Sequence, residues 1–345
     1  MTQAAKSPAA TPTSKSAPEV LVGVDTGGTF TDLVLWDGER LVHSKVLSTP
    51  ADPSKAIIEG LTRLGIRDLP LQLVHGTTVG TNAVLEGKGV RVAYVTNTGF
   101  GDVLTLARQN RREVYALEQA PEPVPVAPEL CLEGDTRIDA EGRLLARASD
   151  NELQALSEKV EAAGVKAVAV NLLFSFLCPE EEQRIAAALP DDCFTSCSSE
   201  VLPEVREYER GIATWLNASV GPLMDRYLGQ LSSMLPGSRL SVMQSAGTTI
   251  AAEQAASQAV RLLLSGPAGG IAAARLLGKL SGHEKVMTLD MGGTSTDVSL
   301  LDGEIPLTNR SRIAGWPLTI STVDIHTIGA GGGSIARTDE GGMLL

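Results

Sequence analysis

Aromatic side chains are nearly missing from this 345-residue chain, at 3% of the total. Its 43% apolar content therefore falls on Ala, Val, Leu and their small neighbours, which suits closely packed α/β layers. Cysteine is scarce as well. Cys131, Cys178, Cys193 and Cys197 form no disulfide framework, and no Cys/His pair follows Cys193 and Cys197 at zinc spacing. Free thiols in a reducing cytoplasm are the expectation. No run of eighteen apolar residues occurs. The nearest, Val260 to Leu277, is interrupted by Arg261, Pro267 and Arg275, so no spanning helix is expected. Positive charge is in deficit, and a net charge of −12 argues against a nucleic-acid groove or an anionic membrane surface as partner. Residues 1–18 lack the apolar core of a signal peptide and read as a disordered tail.

What the chain does have is one signature written twice. Asp25 to Gly38 reads D-T-G-G-T-F-T-D-L-V-L-W-D-G, and Asp290 to Gly303 reads D-M-G-G-T-S-T-D-V-S-L-L-D-G, with nine of fourteen positions identical. Each copy follows an apolar run, Val20 to Val24 or Val286 to Leu289, of the kind that forms a buried strand. Each closes in Asp-Gly, a strong hairpin signal. Both copies therefore predict strand, Gly/Thr-rich turn, strand, Asp-Gly turn, strand.

The turns have a chemical use. Gly27, Gly28, Gly292 and Gly293 carry no Cβ, so main-chain N–H groups can approach an anion closely. Thr26, Thr29, Thr31, Thr294, Ser295 and Thr296 add hydroxyls suited to phosphate oxygens. Asp25 and Asp290 stand at strand ends, where carboxylate oxygen would hold a hard cation or its waters. Two such hairpins facing one another would clamp a magnesium polyphosphate from both sides. The acidic balance does not oppose this, because backbone amides and the metal supply the positive field.

The doubled hairpin resembles the two phosphate loops of the actin/Hsp70/sugar-kinase-like (ribonuclease H-like) ATPase fold. The wording around it, His75-Gly76-Thr77-Thr78, Ser265-Gly266-Pro267-Ala268-Gly269-Gly270 and Asp324-Ile325-His326-Thr327-Ile328-Gly329 included, is similar to the hydantoinase/oxoprolinase A-type family. That resemblance implies an α/β chain of two lobes. It implies an N-terminal domain over 19–199 with the first phosphate hairpin, and an A-type domain over 200–345 with the second. It also implies that the second lobe is incomplete at Leu345, since relatives continue into an adenosine-contacting glycine loop with no counterpart here.

Several segments stay open between structural and functional readings. His75 is either a buried hydrogen-bonder or, with Thr77, Thr78 and Asn82, part of a substrate or phosphate loop at a strand end. Arg108 leads a cationic cluster that is either a wet helix end or, because relatives carry a similar Arg-Gln-x-Arg segment, a substrate-carboxylate site. Asp324 and His326, before a glycine loop, suit a substrate-facing position. The Ser-Gly-Pro-Ala-Gly-Gly turn lacks the Lys-Ser/Thr of a P-loop and is either a packing turn or a phosphate contact. Charges from Glu204 to Arg210, and the run Glu180-Glu181-Glu182, read as solvated helix faces and a favoured helix start.

The expected chemistry is ATP-dependent. Phosphorylating the oxygen of a small cyclic amide such as 5-oxoproline or a hydantoin makes that oxygen a leaving group, with Asp25 and Asp290 organising Mg2+ and the glycine turns holding ATP. Hydrolysis itself would fall to a B-type hydantoinase subunit. One alternative is an acetone-carboxylase-like beta subunit that activates a ketone or bicarbonate. Another, of a different class, is a non-catalytic partner-binding fragment.

Overall fold

In the computed structural model, residues 20–111, 113–118, 123–292 and 296–343 are described, so the expected tail lies outside the described residues. Three strands open the chain: β1 (Val20–Thr26), β2 (Phe30–Trp36) and β3 (Leu41–Leu47), an antiparallel meander. In β1 every second residue, Val22, Val24 and Thr26, is buried, the period of a strand with one face on a core. Helix α1 (Pro53–Arg63) follows, with Pro at its tolerated first position, and the chain returns as β4 (Leu71–Thr77), parallel to β1. Helix α2 (Val79–Leu85) begins directly after β4.

An inserted α/β unit comes next. Strands β5 (Val92–Asn97), β6 (Cys131–Gly134), β7 (Ala167–Val170) and β8 (Phe194–Cys197) form a wholly parallel sheet in the order β8-β7-β5-β6. Every residue of β5 and β7 is buried, as an apolar run covered on both faces requires. Helices α3 (Asp150–Ala162) and α4 (Glu180–Ala188) belong to this unit. Ser149 caps α3 in a capping box with Glu152.

Helix α5 (Glu207–Met234) then packs on β7 and β8 and reaches α1 and α2, joining the two sheets through one continuous hydrophobic core. Strands β9 (Arg239–Met243) and β10 (Thr249–Ala251) complete the first sheet in the order β10-β9-β4-β1-β2-β3, where β2 and β10 alone run against the rest. Helix α6 (Gly266–Ser281) leads to β11 (Lys285–Met291), β12 (Thr296–Asp302) and β13 (His326–Ile328), a separate antiparallel sheet. Its core is a small cluster of Ala268, Ile271, Leu301 and Val323 on the α6 side. On the opposite face Met287, Leu289, Met291 and Leu300 are exposed.

Some expectations change. The second signature does not continue into its own third strand, because the chain meets Pro306, which has no ladder donor, and Leu307–Thr308 pairs with Thr322–Val323 instead. The edge of β12 is taken by β13. Ala259–Leu262 forms a 3₁₀ turn in which Val260 N–H donates to Asn217, and just beyond it Leu264 N–H donates to Thr81. Arg210 is no wet charge. It is 1% exposed, and its guanidinium donates to Asn171, Ser198 and the carbonyls of Leu172 and Glu204. Glu182, fully buried, accepts from Leu172 N–H, Ser198 and both donors of Ser199. These two buried charges, bridged by Ser198, tie β7 and its following loop to the start of α5. Among the described residues no helix is long and apolar enough to cross a membrane.

Gly211 of α5 faces this network. A Cβ there would lie 2.8 Å from Asn171 Nδ2 and Leu104 Cδ2 and 3.1 Å from the Tyr94 hydroxyl. Gly211→Ala should therefore lower stability by about 1–3 kcal/mol from overpacking. The gain of about 1 kcal/mol from removing a helical glycine is too small to offset that. A shift of the urea midpoint to lower concentration is the expected reading, and an unchanged or higher midpoint refutes it.

Candidate active site at the two glycine turns

The two signature hairpins have the same register, residue for residue. Asp25 faces Asp32 and Thr26 faces Thr31 across β1 and β2, while Asp290 faces Asp297 and Met291 faces Thr296 across β11 and β12. Directly opposed residues in an antiparallel pair share a face, so each hairpin presents two carboxylates on one side. The outer strand steadies the second of each pair. Lys45 Nζ lies 3.1 Å from Asp32, and the Thr327 hydroxyl donates to Asp297 at 2.7 Å.

Both turns are also braced from behind. Thr31 is fully buried and shares a 3.0 Å hydrogen bond with Ser48, whose hydroxyl donates to the Gly27 carbonyl. Thr296, its counterpart, donates to the Ala330 carbonyl at 2.6 Å. Gly332 N–H donates to the Gly292 carbonyl. Thr31 and Thr296 therefore support their turns from the protein side. Thr29 is exposed on the turn, with its carbonyl accepting from Ser48 N–H. Gly28 is exposed, and a Cβ built on it would meet nothing within 4 Å, so packing does not explain the absence of a side chain there. The open space above this turn is what a closely approaching anion needs. Gly293, Thr294 and Ser295, expected partners of the same anion, lie outside the described residues.

The loop after β4 connects the hairpins. Gly76 lies opposite Asp25 in the register, and a Cβ on it would stand 3.2 Å from Asp25 Oδ1, so glycine here makes room for the carboxylate. Thr78 donates to the Thr26 carbonyl at 3.1 Å, and Asn82 reaches Thr78 at 3.4 Å. The start of α6 closes on the same loop: Ser265 donates to the Thr77 carbonyl and Leu264 N–H to Thr81. Leu264 takes a left-handed φ of 59° to make this approach. Gly269 and Gly270, one turn further into α6, have open space where side chains would be.

These contacts bring the two leading carboxylates within electrostatic reach. Asp25 has its carboxyl pushed above the usual range by partial burial, then by the charges of Asp32 and Asp290, with Lys45 pulling the other way. Like charges held together, with Lys45 only partly offsetting them, are a natural seat for a divalent cation. Among the described residues no three His, Cys, Asp or Glu side chains are grouped so as to hold a metal ion by themselves, so a cation here would complete its shell with water or ligand oxygen. The residues present fit a magnesium ion bound in that way.

Two cavities flank the turns. One of about 640 Å³ is lined by Thr26, Gly27, Gly28, Thr78, Asn82 and one face of α5. Thr26 lines it although 4% exposed, and its hydroxyl has no hydrogen-bond partner among the described residues. The other, about 250 Å³, lies between the start of α6 and the face of β11 and β12 that carries Asp290 and Asp297.

The remaining candidate residues divide. His75 is fully buried, shares a 2.7 Å hydrogen bond with the Tyr227 hydroxyl, and keeps Nδ1 beside the Val24 backbone without full hydrogen-bond geometry. Burial lowers its pKa to about 4, so it is a neutral strut behind the Thr77–Thr78 loop. Arg108 is placed elsewhere. It pairs with Glu209 at 2.8 and 2.5 Å and lines a cavity with Arg111 and Trp316. Glu209 and Tyr227 are separated along α5 by about 27 Å of helical rise. His326 lies opposite Val298, one residue out of phase with Asp297, so it occupies the other face of that sheet from Asp290. Asp324 is exposed, with its main chain bonded to Pro306 and Ser299.

Sequence reasoning missed Ser48, Lys45, Thr327 and the α5 residues Arg226, Tyr227 and Gln230. The i, i+4 spacing of Arg226 and Gln230 on one helix was their only local sign.

Residues 21–193 match the family described as hydantoinase/oxoprolinase N-terminal region, and residues 210–344 match hydantoinase/oxoprolinase. The alpha subunit of caprolactamase from Pseudomonas jessenii is 31% identical, over 95% of this chain and 50% of its own length. 5-Oxoprolinase 1 from Arabidopsis thaliana is also 31% identical, over 93% of this chain and 28% of its own. The crystal structure of ATP-dependent caprolactamase from Pseudomonas jessenii superposes with a TM-score of 0.82 at 30% identity, covering 94% of this chain and 50% of that one. Nucleotide-free acetone carboxylase superposes at 0.79 with 26% identity, covering 95% and 50%. The chain thus spans about half the length of the caprolactamase subunit and less of the plant oxoprolinase.

The two perturbed groups set opposite pH trends. A raised Asp25 pKa means that the folded state holds this proton more tightly, so its ionisation costs stability as pH rises. Asp25→Asn should therefore melt higher than the parent at pH 7 without ligand, and the gain should fade as pH falls to about 4. A variant that melts lower at pH 7 refutes this. For His75 the stability contribution is full above pH 6.5 and is lost as pH falls toward about 4. His75→Gln should narrow its deficit against the parent between pH 7 and pH 5 in chemical denaturation. An identical deficit at both values means that the imidazole does not titrate as its burial requires.

Proposed function

The chain belongs to the hydantoinase/oxoprolinase family, and from that premise we propose that it is the ATP-using half of an enzyme that activates a cyclic amide for hydrolysis. The observation that carries this reading is the pair of hairpins in identical register, whose leading carboxylates stand close enough to raise the pKa of Asp25. The sheet order β9-β4-β1-β2-β3 with β2 reversed accords with an actin/Hsp70/sugar-kinase-like lobe, and the β11–β12 hairpin with the beginning of a second lobe.

An amide in a small ring resists water because resonance holds its carbonyl. ATP supplies the phosphoryl group that makes the amide oxygen a leaving group, and Mg2+ supplies charge neutralisation for the transfer. Asp25 and Asp290 would hold that ion, directly or through water. The main-chain amides of Gly27 and Gly28, with their counterparts at Gly292 and Gly293, would orient the phosphates. Asp32 and Asp297 keep the leading pair in place through Lys45 and Thr327. Thr31, Ser48 and Thr296 fix the turns, so the donors are set before the ligand arrives.

Two relatives carry subunit names, caprolactamase alpha and acetophenone carboxylase gamma. A B-type partner is the proposed site of the hydrolytic step. The uncovered face of Met287, Leu289, Met291 and Leu300 is apolar enough to need a covering polypeptide. A reducing cytoplasmic setting accords with four free cysteines. The likeness to acetone carboxylase supports a second reading, in which the same phosphoryl transfer activates a ketone or bicarbonate.

Phosphate release by the chain together with a B-type partner separates these readings. Release that depends on 5-oxoproline or a hydantoin supports the first, and release that depends on acetone with bicarbonate supports the second. Asp25→Ala and Asp290→Ala should each lower the rate on the order of 100-fold or more. Undiminished hydrolysis in either variant removes both readings.

A further inference from the structure

Positive charge gathers at one place in this acidic chain, beside the first turns of α5. A cavity of about 350 Å³ there is lined by Arg108, Arg111 and Arg312, with Glu209 as the one acid in its wall. Arg108 is already paired with Glu209 and lies over the Tyr208 ring at 5.9 Å. Arg312 donates to the Gly315 carbonyl, and among the described residues neither Arg312 nor Arg111 has an acid partner. Three cations against one acid leave this wall positive in a chain of net charge −12.

The wall is held firmly. Trp316, from the hairpin formed by Ser311–Ile313 and Trp316–Leu318, packs edge-on against Trp215 of α5 with ring centres 5.3 Å apart. Ala107, Gln109 and Ala314 line the cavity with φ of 50°, 51° and 48°, and Arg206 at the start of α5 has 76°. Such backbone persists only where its surroundings impose it, and it concentrates at ligand clamps.

Beside the wall the chain exposes large side chains. Leu106, at the cavity itself, is 47% exposed, while Tyr115 and Leu117 are 98% and 97% exposed. Tyr115 follows Arg111 by four residues, which keeps the two within about 14 Å. Arginine and tyrosine together are the side chains that anchor protein interfaces. A small anion would leave Tyr115 and Leu117 uncovered, and Arg111 and Arg312 are too open to water to hold one alone. A polypeptide can meet both. A second copy of this chain in a two-fold contact would set the positive wall against itself.

We infer, resting on the partner proposed above, that this surface docks the B-type subunit through a segment in which carboxylates stand beside apolar side chains. Arg111 and Arg312 face the carboxylates, and Tyr115 and Leu117 the apolar groups. The isolated positive wall orients the approach of an acidic segment. Glu209 is separated from Tyr227 by about 27 Å of helical rise, so docking here leaves the glycine turns open to nucleotide.

Surface plasmon resonance of the full chain over an immobilised B-type subunit from the same organism tests this, with nucleotide-analogue binding and the melting temperature measured in parallel. Arg111→Glu should slow association about tenfold or more in dilute salt, and the gap should close at about 1 M NaCl. Tyr115→Ser combined with Leu117→Ser should speed dissociation about tenfold or more at either salt concentration. Arg67→Glu, the same charge change at an exposed site after α1, should bind as the parent does. All variants should keep the parent's nucleotide affinity and melting temperature. Unchanged kinetics in Arg111→Glu or in the serine pair, or an equal loss in Arg67→Glu, overturns the inference and leaves the B-type partner standing. No binding by the parent removes the partner reading, and this inference with it. Self-association of the chain in sedimentation that Arg111→Glu abolishes gives the surface to a second copy and overturns the inference as well.

Discussion

The start of α6 rests on the loop after β4, and the geometry of the site depends on that contact. Ser265 bonds the Thr77 carbonyl, Leu264 N–H bonds Thr81, and a Cβ on Gly266 would stand 3.8 Å from the Thr78 methyl. The helix leaves this junction and delivers β11, with Asp290 near its end. The strand that feeds the same loop, β4, is hydrogen-bonded to β1, with Asp25 near its end. This junction, together with contacts such as Val323 N–H to the Ser245 carbonyl and Trp215 against Trp316, sets the relation between two carboxylates that are far apart in sequence. The left-handed backbone at Leu264 is the local strain of that approach, held by an amide that already has its acceptor.

The two hairpins are equal in register and unequal in support. The first lies inside a six-stranded sheet whose core continues through α5 into the parallel sheet. The second lies in three strands with a four-residue core beneath and open apolar side chains above. Opening free energies follow buried contact, so the β11–β12 side is the softer half of the clamp. A ligand gripped from both sides would order the weaker side more than the stronger one, and binding should stiffen residues around Asp290 in particular.

His75 shows how a polar side chain can serve a site without touching the ligand. It is neutral, buried and bonded to Tyr227, so it ties the Thr77–Thr78 loop to α5. The same helix turn places Arg226 and Gln230 at the cavity wall. Loop, helix and glycine turn thereby share one cavity wall. Arg108, at the other end of α5, is held by Glu209 and belongs to a different surface.

Much of this was legible from residue order alone. The doubled Asp-x-Gly-Gly-Thr, the alternation in β1, the uninterrupted apolar runs of β5 and β7 and the Pro53 helix start are local patterns, and short-range sterics and burial periodicity decide them. The sequence determined that two like hairpins exist and which residues lead them. It did not reveal which strand would flank β12, because Pro306 only forbids the local partner and the winner comes from residues 326–328. Arg210 looked like a wet surface charge and Glu182 like part of an acidic helix start, because their partners Ser198, Asn171 and the Leu172 backbone are scattered along the chain. Only the tertiary structure decided that Asp25 feels the charge of Asp290 and that His326 faces away from it. Each of those is a distance or direction between segments far apart in sequence, and such distances are set by how α5 and α6 pack, which no local pattern encodes.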